Sequence, residues 1–402
     1  MRVLFVSEYL RAGGAEKFLL SLVRGLTKVL GDSIEIHVAT ADRLNMRLGT
    51  LRRLNIKVHY IPSTRLYFQL RILGMSHPLI ARKFDTLLSK VKPDLVHLNN
   101  IAGFGLTPLK VLYERNIPTV FTLHDHWVIC PNTLLYNGSS ICDNNLACLR
   151  SYCVKFTMSL PQLNSILDKR FQFVQSQLIP ELLKEFNLVA VSKYLAQIMK
   201  KFLGLEPTVI YNGLELEGIF ELNETEWLSR SGICYLGGAR VEKGYYIVRN
   251  LIKRMQSLVK SGEVMFFVRG LQKDFENIGV LPGQVLVKRY FNNVSEVYKK
   301  SFVTLIPSIW PEPFPYTALE ALAYGSLVLA FRIGGIPEEV EDERLLVDPY
   351  NIDDYYQRLL DIIRDRARYF ELALKLSKSV RSKFSLENTT KKYIELYERV
   401  VK

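Results

Sequence analysis

Short apolar runs alternate with longer amphipathic segments along most of the chain. The runs at 2–7 and 302–306 are rich in β-branched and aromatic residues and are bounded by polar or turn-forming residues, which indicates buried strands. Between about Ala15 and Leu30, apolar residues recur at the spacing of one helix face. Repeated strand–helix units of this kind predict an α/β fold, with parallel sheets covered by helices on both faces.

The same pattern divides the chain into two similar halves, and 402 residues are enough for two domains. We predict a first domain at 1–212, a second at 213–380 and a C-terminal helix at 381–402, with a linker between about Asn212 and Ser229. Further strands are predicted at 34–39, 58–61, 94–98, 119–123, 188–192, 264–268, 285–287 and 327–331, and the segment 233–244 opens a second set of strand–helix units.

The segment 308–325 has the most informative local pattern. It follows the strand at 302–306, contains three prolines that break regular structure, and becomes helical from Tyr316. The first backbone N–H groups of such a helix can hold a phosphate. Glu312 on the loop and Glu320 near the helix start can accept hydrogen bonds from the hydroxyl groups of a sugar or a ribose. The segment therefore predicts a nucleotide site beside a sugar site.

A known family shares these residues. Glu312 and Glu320, separated by seven residues and followed by the segments 321–325 and Gly334-Gly335-Ile336-Pro337-Glu338, resemble the signature of the family 4 retaining glycosyltransferases. The resemblance covers nearly the whole chain and is most specific in the second half. It implies a GT-B fold: two Rossmann-like domains facing a central cleft, with a C-terminal helix crossing back to the first domain. Two glutamates at this spacing, taken alone, would be surface charges beside a core helix.

The resemblance implies roles for residues of the second domain. Glu312 would hold hydroxyls of the donor sugar, and Glu320 would hold the ribose. Pro313 and Pro315 remove two N–H donors, so the sugar and phosphate would be held by Phe314, Tyr316 and Thr317 instead.

Two cations are expected at the donor diphosphate. In the family an arginine and a lysine follow the first strand of the second domain, and Lys243 matches the lysine. Gly238 stands where the arginine is common, and Arg240 is the nearest arginine. Either Arg240 reaches the phosphates from a shifted position, or Lys243 acts with another cation. The alternative for both is a surface cation on a turn.

The first domain offers two candidate elements. Gly13 and Gly14 lie between a strand and a helix, a geometry that lets backbone approach a phosphate, and the resemblance places this loop at the donor. His124 follows a strand end, where parallel sheets bind ligands, and the family often has a histidine there beside the donor sugar. Asp125 and His126 are alternatives, as is a purely structural role for His124.

Four cysteines, Cys130, Cys142, Cys148 and Cys153, fall in the loop-like segment 127–160. They are compatible with a structural zinc, with two disulfides or with unlinked thiols. No pair has the two-residue spacing of a zinc knuckle, and no ligand set of a catalytic metal is visible.

The net charge of +13 favours phosphate-bearing substrates or an anionic membrane surface as partners, or serves solubility alone. A basic, partly apolar stretch at 64–92 fits either a membrane-binding helix, as in some family members, or a solvated helix face. No nucleic-acid motif accompanies the charge. No apolar run reaches membrane-spanning length and no signal peptide precedes the first strand, so we expect a cytoplasmic enzyme, with peripheral membrane contact as an option.

We therefore predict a retaining glycosyltransferase that moves a sugar from a nucleotide-diphosphate sugar to a hydroxyl of a glycan, a lipid-linked or another acceptor. No Asp-x-Asp triplet occurs, so neither a metal ion nor a cofactor is required to hold the diphosphate. Two alternatives stay open: a nucleotide-sugar epimerase on the same fold, and a non-catalytic nucleotide-sugar-binding protein.

Overall fold

The computed structural model describes residues 1–10, 13–42, 46–63, 74–130, 133–138, 140–142, 173–216, 221–276, 279 and 283–402. The chain forms two compact units. The first unit consists of Met1–Gly213 with Leu386–Lys402, and the second consists of Leu214–Ser385.

The first unit contains a seven-stranded parallel sheet in the order β3-β2-β1-β4-β5-β6-β7. Its strands are β1 (Arg2–Val6), β2 (Glu35–Thr40), β3 (Lys57–Tyr60), β4 (Leu95–Leu98), β5 (Thr119–Leu123), β6 (Asn187–Ala190) and β7 (Thr208–Val209). Its described α-helices before the second unit are α1 (Gly14–Leu30), α2 (Met46–Arg53), α3 (Pro78–Val91), α4 (Thr107–Arg115), α5 (Ile179–Leu183) and α6 (Lys193–Leu203).

The second unit contains a six-stranded parallel sheet in the order β10-β9-β8-β11-β12-β13. Its strands are β8 (Gly232–Tyr235), β9 (Met265–Arg269), β10 (Val285–Lys288), β11 (Ser301–Ile306), β12 (Leu327–Phe331) and β13 (Leu346–Val347). Its described α-helices are α7 (Glu224–Ser229), α8 (Tyr245–Arg254), α9 (Gln256–Lys260), α10 (Val294–Lys300), α11 (Tyr316–Ala323), α12 (Ile336–Val340), α13 (Ile352–Arg364) and α14 (Arg366–Lys383).

The last helix, α15 (Leu386–Val401), belongs to the first unit. It packs on α1, where the rings of Phe18 and Tyr393 lie 5.5 Å apart. The Tyr397 hydroxyl lies 2.5 Å from Nδ1 of the fully buried His97 on β4, and His97 Nε2 lies 2.8 Å from Thr122 Oγ1 on β5. A buried polar chain thus joins the C-terminus to the middle of the first sheet.

Both sheets have the strand order of a Rossmann fold, which confirms the predicted fold class. In each sheet the order reverses between the first and fourth strands of the unit, β1 and β4 or β8 and β11. Ligands of doubly wound sheets bind beyond the carboxyl ends of the strands at such a reversal. Within the described residues, no helix is long and apolar enough to cross a membrane.

Candidate functional site

A pocket lies at the carboxyl ends of β8 and β11, where the order of the second sheet reverses. Its walls come from both strand ends, from the loops that follow them and from the start of α11. The lining residues are Tyr235, Gly237, Lys243, Leu305, Ile306, Ser308, Glu312, Pro315 and Thr317. The sequence pattern had pointed to Lys243, Glu312 and Thr317, and the structure brings these three together.

The Glu312 carboxylate is the charged centre of this pocket, although the residue is only 4% exposed. Lys243 Nζ lies 2.5 Å from Glu312 Oε2, and the Ser308 hydroxyl donates to Glu312 Oε1. Lys243 Nζ also lies 5.0 Å from the centre of the Trp310 ring. The pocket therefore contains a cation and an anion in direct contact, both largely shielded from water.

The backbone at Glu312 is held by a glycine turn. Gly335 N–H donates to the carbonyl oxygen of Glu312 over 2.7 Å. Gly334 has φ +61, and a Cβ built there would lie 2.2 Å from that same oxygen. Only glycine fits both this backbone conformation and this close approach. The Gly334–Gly335 turn thus fixes the loop that carries Glu312.

Lys243 ends a short 3-10 turn, Val241–Lys243, that packs closely on the neighbouring loop. Gly244 follows with φ +77, and a Cβ there would lie 2.0 Å from the carbonyl oxygen of Pro307. The Tyr235 hydroxyl donates to the carbonyl oxygen of Gly238 over 2.9 Å, and the Lys243 carbonyl oxygen lies 3.2 Å away. Sequence reasoning missed this anchoring role of Tyr235, because a tyrosine at a strand end has many ordinary uses.

The helix start and Glu320 form the other side of the site. α11 begins at Tyr316, directly after the extended Pro315, so its first N–H groups lie at the pocket wall that Pro315 and Thr317 form. Phe314 is buried, with its ring edge-on to Phe384. Glu320 is half-buried and accepts a hydrogen bond of 3.1 Å from the Tyr298 hydroxyl.

Tyr298 is a partner of Glu320 that the sequence did not reveal. Burial, with the nearby charge of Glu320, raises the pKa of Tyr298 well above its usual value. The phenol therefore stays protonated and can only donate to Glu320, which fixes the orientation of one carboxylate oxygen.

Arg240 does not line this pocket. Its side chain is 55% exposed and pairs with Glu242 two residues along the same turn. To reach a diphosphate, Arg240 would have to leave that carboxylate. Its predicted role stays a prediction, with less support than that of Lys243.

A third carboxyl group lies close to the pair in the pocket. Glu339, on α12, is 0% exposed, and within the described part of the chain neither of its oxygens has a hydrogen-bond partner. Burial, together with the charges of Glu312 and Glu338, raises the pKa of Glu339 well above that of an ordinary carboxyl, and Lys243 opposes this only in part. Burial and the neighbouring carboxylates therefore favour the protonated form of Glu339.

In the first unit, His124 lies just beyond the end of β5, as expected. Its Nε2 lies 2.8 Å from Asn99 Oδ1, and Asn99 Nδ2 donates to the carbonyl oxygen of Ala15. Nε2 therefore carries the proton, and Nδ1 is left as the acceptor. Burial lowers the pKa of His124 to about 3, so the imidazole is neutral. A neutral acceptor at this position suits a sugar hydroxyl.

The two alternatives to His124 have structural contacts. Asp125 Oδ1 accepts a hydrogen bond of 2.7 Å from Trp127 N–H and so shapes the turn. His126 is fully buried, with Nδ1 3.3 Å from the carbonyl oxygen of Thr133 and its ring edge-on to Tyr194. These contacts give both residues a role in folding this loop.

Gly13 caps α1 and Gly14 is its first residue, but a carboxylate already lies against this helix start. A Cβ built at Gly13 would lie 2.1 Å from Glu16 Oε2, so the Glu16 side chain folds back over the glycine. The space for close backbone approach at Gly13 is thus taken by an anion of the chain itself. Donor contact at Gly13 and Gly14 stays a prediction.

The structure describes only two of the four clustered cysteines. Cys130 is buried and Cys142 is half-buried, whereas Cys148 and Cys153 lie outside the described residues. Among the described residues, no group of three or more His, Cys, Asp or Glu side chains could hold a metal ion. The structural zinc stays a prediction, as do the disulfides and the unlinked thiols.

Comparison with known proteins adds independent information. "Glycosyltransferase Family 4" matches residues 12–217, and "Glycosyl transferases group 1" matches residues 232–383. An "uncharacterized 42.6 kDa protein in cps region" of Klebsiella pneumoniae is 24% identical, covering 96% of both chains. The "uncharacterized glycosyltransferase MJ1178" of Methanocaldococcus jannaschii is 24% identical, covering 94% of this chain and 93% of its own.

Solved structures share the fold. The structure of Anabaena Alr3699/HepE in complex with UDP has a TM-score of 0.69 at 16% identity, covering 99% of this chain and 100% of the other. Because the first family match alone spans just over half of the sequence, the chain belongs to Glycosyltransferase Family 4, and the protein is a glycosyltransferase.

Proposed function

We propose that this glycosyltransferase moves a sugar from a nucleotide-diphosphate sugar to a hydroxyl acceptor, with retention of the anomeric configuration. The observation that carries the proposal is the contact between Lys243 Nζ and Glu312 Oε2 at 2.5 Å. In a nucleotide sugar, the hydroxyl-bearing ring is joined directly to a phosphate. A carboxylate touching an ammonium group matches that junction, since the first accepts from hydroxyls and the second neutralises phosphate.

The remaining contacts of the second unit extend this assignment. The start of α11 would add backbone N–H donors to the phosphates, through Tyr316 and Thr317. Glu320, oriented by Tyr298, would accept hydrogen bonds from the ribose hydroxyls. In the first unit, the neutral His124 would accept from a sugar hydroxyl through Nδ1.

UDP-sugars are the first donors to test. Anabaena Alr3699/HepE has been solved with UDP and with UDP-glucose, and it shares the fold of this chain. The pocket residues that we assign to the diphosphate and the ribose do not depend on the base. Guanine and adenine nucleotides therefore belong in the same panel.

In the proposed step, the acceptor oxygen attacks the anomeric carbon on the face from which the diphosphate leaves. The bond between that carbon and the phosphate oxygen breaks, and its electron pair stays on the phosphate. The acceptor proton passes to the same phosphate oxygen. Charge therefore grows on the phosphate in the transition state, and Lys243 with the α11 N–H groups would stabilise it. Because the sequence lacks an Asp-x-Asp triplet, we propose that no divalent metal takes part.

Two similar proteins suggest a class of acceptor. The lipopolysaccharide outer core galactosyltransferase WaaB has the same fold, with a TM-score of 0.64, and the Klebsiella relative is named for the cps region. We propose a glycan or a lipid-linked glycan as acceptor. Peripheral contact with anionic lipid would rest on the basic stretch at 64–92, of which 64–73 lie outside the described residues.

The first experiment measures binding of UDP, GDP, ADP and their sugars by thermal shift, with EDTA in place of divalent metal. A shift in one nucleotide series would support both the donor class and metal independence. Conversion of the donor sugar to its epimer in the absence of any acceptor would instead favour the epimerase alternative.

Two variants then test the division of roles. Glu312→Ala should abolish transfer and leave UDP affinity unchanged or raised, because Lys243 is released from its ion pair. Glu320→Ala should weaken UDP about tenfold, the value of one charge-assisted hydrogen bond. Equal losses of UDP affinity in the two variants would contradict these assignments.

A further inference from the structure

Arg269 lies beside the pocket, at the end of the strand next to β8. It is the last residue of β9, and Val268 is paired in register with Tyr235, the last residue of β8. Because the strands are parallel, Arg269 emerges at the same sheet edge as the pocket-lining Gly237. Its Nε lies 3.9 Å from the position that a Cβ would occupy at Gly238. Arg269 thus lies beside Gly238, the residue that follows the pocket-lining Gly237.

The turn at Gly238 lies beside this side chain. Gly238 has φ +80, a backbone conformation that favours glycine, and Arg269 Nε lies within ordinary van der Waals contact of the missing Cβ. The side chain of Arg269, from the neighbouring strand, therefore lies next to the backbone of the loop that follows β8.

Among the described residues, no carboxylate compensates the charge of Arg269. The side chain is half-buried and lies against the ring of Tyr290, with Cζ 5.0 Å from the ring centre. Across the ranges that the structure describes, Arg269 forms no ion pair. Arg240 differs, because Glu242 neutralises it. A half-buried arginine beside an aromatic ring, with no carboxylate partner among the described residues, is well placed to bind an anion.

We infer that Arg269 binds the donor diphosphate together with Lys243, in the role that the sequence had suggested for Arg240. The inference rests on the proposed function, since it names a residue of the same donor site. Arginine suits this task because its planar group can donate two parallel hydrogen bonds to phosphate oxygens. Tyr290 would keep the guanidinium plane in place before the donor arrives.

The test compares Arg269→Gln with Arg289→Gln by calorimetric binding of UDP and of uridine. Arg289 is exposed, lies next to Tyr290, and loses the same charge at the same sheet edge. Arg269→Gln should weaken UDP about ten- to a hundredfold and change uridine affinity less than about threefold. Arg289→Gln should change both affinities less than about threefold. Arg269→Lys should restore part of the UDP affinity, because it restores the charge without the planar fork.

Each other outcome overturns the inference in a recognisable way. Equal loss of UDP and uridine in Arg269→Gln would mean that Arg269 acts on the base or on the fold. Equal UDP affinities in Arg269→Gln and Arg289→Gln would mean that only general surface charge is involved. If the unmodified protein binds none of UDP, GDP and ADP, the proposed function itself fails. Thermal unfolding of each variant separates loss of binding from loss of structure.

Discussion

The buried acid Glu339 predicts an unusual dependence of stability on pH. We consider Glu339→Gln, which keeps the shape and the neutral state of the protonated side chain but cannot ionise. In the folded protein, burial and the charge of Glu312 raise the pKa of Glu339 well above the value of an exposed carboxyl. In the unfolded chain the same carboxyl ionises near pH 4.3. Folding above that pH must therefore bind a proton.

The size of the pH effect on stability follows from the binding of this one proton. The folded state keeps the proton on Glu339 while the unfolded state has released it, so the free energy of unfolding falls as pH rises. The loss is about 1.4 kcal/mol per pH unit until Glu339 ionises in the folded state. Over this pH range the free energy of unfolding of the unmodified protein should thus fall relative to that of Glu339→Gln. The contribution of the Glu339 proton to the free energy of unfolding is fully present below the pKa of this carboxyl in the unfolded chain. It is lost as the pH rises toward the pKa in the folded protein.

The assay measures urea unfolding of both proteins at several pH values between 5 and 9 and reports the difference between them. The contributions of the other titrating groups to the pH dependence cancel in this difference. Glu398→Gln is a suitable control for the loss of one carboxylate, since Glu398 is exposed and lies on α15 rather than beside Glu339. A difference for Glu339→Gln that does not change with pH would refute the reasoning.

Two further predictions concern contacts inside the units, one in the first and one in the second. Tyr397→Phe removes the hydroxyl beside the buried His97 and should lower the free energy of unfolding by about 1–3 kcal/mol, while the exposed Tyr113→Phe should be neutral in the same urea titration. Gly334→Ala should cost well over the roughly 1–2 kcal/mol of left-handed backbone strain, because its Cβ would meet the Glu312 backbone at 2.2 Å, and sugar transfer should fall with it. Gly262→Ala has the same strain at φ +81 and no atom within 4 Å, so it should show the strain alone in thermal unfolding and leave transfer intact. Similar losses in both glycine variants would contradict the close approach at Gly334.

The sheets could be predicted from the sequence because their strands are buried on both faces. The predicted run at 327–331 coincides with β12 (Leu327–Phe331), and the run at 302–306 differs from β11 (Ser301–Ile306) by one residue. Continuous apolar runs leave little ambiguity about such strands. The predicted strand at 188–192 ends two residues late, because β6 stops at Ala190 and Ser192 instead caps α6 by accepting from Leu195 N–H.

The side-chain contacts of the site could not be predicted in the same way. Whether Glu338 or Glu339 is buried depends on the rotation of α12, which the Gly334–Gly335 turn and the loop of Glu312 set together. Arg240 is close to Lys243 along the chain but faces Glu242, whereas Arg269 is far along the chain and approaches Gly238 through the pairing of β9 with β8. Such contacts depend on strand register and on three-dimensional neighbours, which a motif does not encode.

The ion pair between Lys243 and Glu312 also bears on how the donor would be recognised. A diphosphate that draws Lys243 away leaves the buried Glu312 carboxylate, among the described residues, with the hydrogen bond from Ser308, and a buried carboxylate that loses its counter-charge is costly. Sugar hydroxyls that donate to Glu312 would remove this cost. Free UDP would bind with this unfavourable free energy uncompensated, because it brings no sugar hydroxyls. The complete nucleotide sugar would offset it in the same binding event. The sugar would therefore contribute to affinity by donating hydrogen bonds to the charged Glu312 carboxylate. The nucleotide left after hydrolysis of the donor should dissociate more readily than the intact donor.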